Sequence, residues 1–71
     1  MSARFWGDLK TTDFKDLDAE KTVAVLPLAA IEQHGPHLPV SVDTTIMNAM
    51  LGLAMPLVPA GLDVLVLPTM A

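Results

Sequence analysis

Cysteine is absent from the 71 residues, which excludes disulfide bridges and thiolate metal sites and leaves the redox compartment unreadable. Basic residues are scarce. Arg4, Lys10, Lys15 and Lys21 are the whole set, so there is no basic stripe with which to hold nucleic acid. Eight acidic residues bring the formal charge to -4. The opening "MSARFWGDLK" meets acidic residues where a secretory leader needs its apolar stretch, so no signal peptide is expected and a cytoplasmic location follows as the default. Aromatic and basic anchors are also missing around the longest apolar stretch, Thr44 to Leu62. With Asn48, Gly52, Pro56 and Pro59 inside it, that stretch reads as a buried helix broken by prolines and not as a membrane span.

What the chain has in quantity is aliphatic surface. Hydrophobic residues make up 52% of it, a high share for so short a polypeptide. A domain of this size buries only about 60% of the surface that its unfolded chain exposes, so little interior is available to hide that much apolar area. The segment therefore packs against something else or is a piece of a longer protein, and the second reading is the favoured one.

Along the chain, residues 1–21 are polar and carry most of the charge. Thr11 or Thr12 is placed to cap a short helix through "DFKDLDAEK", with Phe14 and Leu17 on one face. "TVAVLPL" (22–28) is a nearly continuous apolar run, the pattern of a strand covered on both faces in a parallel sheet. A helix is expected from Asp43, capped by Asp43 or Thr44, with Ile46, Met47, Met50, Leu51 and Leu53 or Ala54 at helical spacing. Pro56, Pro59 and Gly61 end it. "DVLVLPTM" (63–70) repeats the character of the first strand. Strand, helix and strand make one βαβ unit, α/β in class, joined by a right-handed crossover. Two doubly covered strands with so few helices cannot complete a sheet, so 1–71 is expected to be part of a larger domain.

The chemistry is concentrated in the loop after the first strand, "AAIEQHGPHLPVSVD" (29–43). Open α/β sheets place their ligands beyond the carboxyl ends of the strands, and this loop lies there. If residues 31–34 stay extended, Glu32 and His34 share a face with Cβ atoms about 6.5–7 Å apart, and Gln33 points away. That spread suits ligands of two neighbouring metals, which in dinuclear hydrolases stand about 3.5–4 Å apart; Asp43 could bridge them. Nitrogen and oxygen donors without sulfur suit Zn, Mn or Fe without choosing among them. Each residue also has a plainer reading: Asp43 as a helix cap, Glu32 as a solvated loop residue, His37 as a hydrogen-bonded structural histidine, and the helix methionines as core filler.

Residues 25–43, "VLPLAAIEQHGPHLPVSVD", resemble the signature segment of the creatininase (creatinine amidohydrolase) family, and "VLVLPTMA" is similar to that family's second strand. The resemblance spans most of residues 11–71 and covers only the N-terminal portion of a member, so 1–71 reads as an incomplete part of a single creatininase-like domain. It implies a layered, largely parallel α/β fold, homo-oligomers that are often hexamers, and a dinuclear metal centre. The implied reaction is hydrolysis of a carbon–nitrogen bond in a small-molecule amide by metal-activated water, the cations polarising the carbonyl. It further implies Glu32 and His34 as ligands of different metals and Asp43 as the bridge. Ala29 stands where members often have Gly. The family's remaining ligands and its catalytic His have no counterpart here, so the 71 residues alone are expected to be inactive. The competing expectation is a non-catalytic remnant that docks on a partner through its apolar sheet surface.

Overall fold

The computed structural model describes residues 3–71. Its elements are strand β1 (Ala3–Phe5), two 3-10 turns (Trp6–Asp8 and Thr11–Asp16), strand β2 (Val23–Val25), helix α1 (Val42–Ala54), a third 3-10 turn (Met55–Leu57) and strand β3 (Val64–Val66). All three strands are parallel, in the order β1-β3-β2. The expected βαβ unit is present as β2–α1–β3, in a small α/β fold. Val23, Ala24 and Val25 pair with Val64, Leu65 and Val66.

Both paired strands are shorter than their apolar runs, and proline is the reason. Lacking an N–H, it breaks a ladder from inside, and it restricts the residue before it. β2 stops two residues before Pro27 and β3 two before Pro68. Pairing resumes past both: the Leu67 N–H donates to the Val25 carbonyl at 2.9 Å, Met70 N–H to Pro27 O at 2.9 Å and Ala29 N–H to Met70 O at 2.8 Å. The matched "LP" breaks therefore leave the two strand exits clamped side by side, and the loop after residue 29 starts from a fixed point.

β1 lies outside the sequence expectation, which assigned residues 1–21 to polar chain and a short helix. Three residues are too few to show a strand period. What specifies β1 is its register on β3, Ala3 to Val64 and Phe5 to Val66. The helix expected through residues 13–21 is a 3-10 turn that ends at Asp16, and neither threonine caps it. Lys10 holds the N-cap position, and its backbone N–H donates to Asp13 Oδ2 at 2.8 Å. Trp6 packs on Phe14 with ring centroids 4.6 Å apart, tying this segment to the end of β1.

Only the central strand meets the expectation of two covered faces. Leu65 and Val66, which point to opposite sides, are 3% and 2% exposed. Val23 and Ala24 of β2 are exposed, because one helix and three short strands supply cover for a single strand. α1 and the 3-10 turn that follows it set Met47, Leu51 and Met55 half-buried at four-residue spacing. They leave Ile46, Met50, Leu53 and Leu57 outward, the last two 76% and 81% exposed. The radius of gyration is 14.5 Å, against about 11 Å for a compact chain of this length, so much apolar surface lies open. No helix among the described residues is long and apolar enough to cross a membrane.

Candidate metal centre

Glu32 and His34 lie on the loop leaving β2, and Asp43 lies in the first turn of α1. Several backbone bonds bring them together. The Glu32 N–H donates to the Val40 carbonyl at 3.0 Å, closing the loop on itself just before the helix. Within it, Gly35 adopts a φ of +80°, in the left-handed region open to glycine, and its N–H donates to Gln33 Oε1 at 2.8 Å. Gln33 thus turns onto its own loop, leaving Glu32 and His34 to share the other side. The Thr44 hydroxyl donates to the Ala30 carbonyl at 3.0 Å and pins the start of α1 to the start of the loop.

The cap of α1 decides what Asp43 does. Ser41, not Asp43 or Thr44, is the N-cap residue; its carbonyl accepts the Thr45 N–H at 2.9 Å, and its side chain makes no cap bond. Asp43 is the second helical residue, so its carboxylate is free of the capping role and reaches His34 instead. Asp43 Oδ2 stands 3.0 Å from His34 Nε2, and Glu32 Oε1 stands 4.0 Å from that same nitrogen. One donor atom from each of the three lies within 4.8 Å of the others. His34 is the most sheltered, at 27% side-chain exposure, with Asp43 at 37% and Glu32 at 63%.

The donor set fits a divalent cation. Metal–ligand distances of about 2.0–2.2 Å place two ligand atoms of a tetrahedral ion about 3.4 Å apart, and the separations here bracket that value. Two carboxylates facing one imidazole nitrogen also attract positive charge. His34 Nε2 and Asp43 Oδ2 face each other at hydrogen-bond distance, and each offers a lone pair that a cation could take. Asp43 is thus not the cap, and Glu32 is a solvated loop residue that nonetheless stands in one group with His34 and Asp43. His37 is exposed and stands outside it. Sequence spacing indicated these three residues as one group but missed Thr44 as the anchor of the helix start beside them; a hydroxyl three residues past the cap, facing a Pro-bounded loop, was the available signal.

Residues 7–71 match the family described as creatininase, creatinine amidohydrolase. The mycofactocin precursor peptide peptidases of Mycobacterium tuberculosis H37Rv and Mycobacterium ulcerans are each 41% identical over 44 residues, covering 62% of this chain and 18% of theirs. That of Mycolicibacterium smegmatis is 35% identical over 69 residues, covering 94% of this chain and 28% of its own. The chain thus spans less than a third of the length of these relatives. No solved structure matches it. With the family matched over all but the first six residues, this chain belongs to the creatininase family.

Proposed function

We propose that this chain is the N-terminal, incomplete part of a single-domain metal-dependent amidohydrolase, in which Glu32, His34 and Asp43 hold a divalent cation. The observation that carries the reading is the convergence of one atom from each of these residues to within 4.8 Å at the carboxyl edge of a parallel sheet. Family membership supports hydrolysis of a carbon–nitrogen bond, and the relatives' name makes a peptide bond one such amide alongside small-molecule amides. The full proposal has two ions of Zn, Mn or Fe, which Glu32, His34 and Asp43 would hold with Asp43 shared between them, in a cytoplasmic homo-oligomer. When bound, the cations would supply Lewis acidity and an activated water. The chain's own contribution is to hold the ligands ready: Thr44 fixes the helix start that carries Asp43, and the Glu32–Val40 bond fixes the loop.

The remnant reading draws on the exposed apolar faces of β2 and α1, which a partner could cover as well as further chain could. Elemental analysis of the protein made from its natural reading frame, beside its His34→Ala and Asp43→Ala variants, tests the proposal. One or two equivalents of metal in the wild type, lost together with amide turnover in both variants, is the expected result. Equal metal content in all three would remove these residues as ligands.

A further inference from the structure

Helix α1 carries Asp43 yet has no buried residue, so apolar packing fixes its rotation about its own axis only loosely. Two polar side chains add what packing lacks. The Thr44 hydroxyl donates to the Ala30 carbonyl at 3.0 Å, on the loop leaving β2. One turn later, Asn48 Oδ1 accepts the Thr69 hydroxyl at 2.7 Å, on the chain leaving β3. Being four residues apart, Thr44 and Asn48 are about 6 Å apart along the axis and only about 40° apart around it. Their partners are joined in turn: Ala29 N–H donates to the Met70 carbonyl at 2.8 Å and Met70 N–H to the Pro27 carbonyl at 2.9 Å. Each anchor therefore ends one residue from the clamp that holds the two strand exits side by side. A helix held at one point can swivel about it; held at two, it cannot.

The rotation matters for Asp43, which stands one residue before Thr44 and about 100° round the helix from it. Side-chain tips lie about 5–6 Å from a helix axis, so a turn of about 20° moves the carboxylate by roughly 2 Å. Two ligand atoms of one cation stand no more than about 4.4 Å apart, twice the metal–ligand distance. Asp43 Oδ2 and His34 Nε2 are 3.0 Å apart, so a turn of that size away from His34 takes the pair out of range. We propose that Asn48 and Thr69 are positioning residues, whose bond completes a two-point attachment of α1 and sets the rotation at which Asp43 faces His34. The proposal rests on the metal-binding reading above. It adds to the site a residue from beyond β3, outside the segment that supplies Glu32, His34 and Asp43.

The test uses the protein made from its natural reading frame. Thr69→Val keeps the side chain's shape and removes the donor, whereas Thr69→Ser keeps the hydroxyl. Asn48→Leu removes the acceptor and stands in for Thr69→Val should that variant misfold. Cobalt(II) is the probe, because its d–d absorption reports ligand geometry, and amide residual dipolar couplings along α1 report helix rotation in the metal-free protein. Thr69→Val is expected to shift the phase of those couplings and to alter the d–d band. It is also expected to raise the cobalt Kd about two- to tenfold, the range that one net hydrogen bond allows. Thr69→Ser is expected to match the wild type in all three readouts. Thr44→Val added to Thr69→Val removes both anchors, and the combined loss of affinity is expected to exceed the product of the single losses. Unchanged couplings in Thr69→Val overturn the attachment, as does a lowered melting temperature with cobalt Kd and spectrum unmoved; either leaves the metal reading intact. A wild type that binds no cobalt overturns the metal reading, and the couplings still decide whether the attachment sets the helix rotation.

Discussion

The segment from Ala29 to Thr44 and the outward face of α1 are both largely exposed, yet they are organised in opposite ways. The first is polar and tied together by its own bonds: Glu32 to Val40, Gly35 to Gln33, Thr44 to Ala30 and His34 to Asp43. The second is a row of Ile46, Met50, Leu53 and Leu57 set against solvent. A hydrogen-bonded loop clamped between two strand exits takes its shape mainly from bonds within itself, between residues 2 to 14 apart. An apolar helix face takes its meaning from whatever covers it. The Glu32–His34–Asp43 group is therefore built within one segment of chain, whereas the core of the domain is not.

Changes in the loop should accordingly act on metal binding, and changes on the helix face should not. Asp43→Asn has the largest expected effect. It keeps the side chain's shape but removes a charged donor, and metal affinity should fall by more than the roughly 10–100-fold seen for outer-shell partners, as isothermal titration with Zn or Mn would read. Gly35→Ala comes next. Its φ of +80° costs a residue with a Cβ about 1–2 kcal/mol, so the loop should loosen, with lower thermal stability and weaker metal binding together. Thr44→Val follows at about 1 kcal/mol, through the lost bond to the Ala30 carbonyl; metal content at saturation should be retained. Leu57→Gln, on the outward face, should leave metal affinity unchanged. A fall in affinity as large as that of Asp43→Asn would break the comparison, because it would show the two regions to be one unit.

The same contrast explains what the sequence disclosed. Glu32, His34 and Asp43 were legible as a candidate group from their types and spacing, and the structure brings one atom of each within 4.8 Å of the others; α1 was legible because Met47 and Leu51 repeat at helical period. The helix start was misplaced by one residue. Ser41 caps it through its backbone alone, which leaves no side-chain signature, and Asp43, the stronger capper by type, is drawn to His34. β1 could not be read at all, since three residues carry no period and its register comes from β3. The apolar runs at 22–28 and 63–70 overstated strand length because Pro27 and Pro68 interrupt the ladders that their neighbours resume. Burial of β2 was the reading furthest from the structure. An apolar strand announces that it can be covered, but its own sequence does not supply the cover.

The most direct measurement is anomalous diffraction from a crystal of the metal-soaked full-length protein, with data taken at the zinc and manganese absorption edges. A peak at about 2.0–2.2 Å from His34 Nε2 and from a carboxylate oxygen of both Glu32 and Asp43 is the predicted result. A map without such a peak, in which His34 stays hydrogen-bonded to Asp43 as it is at 3.0 Å here, would contradict it.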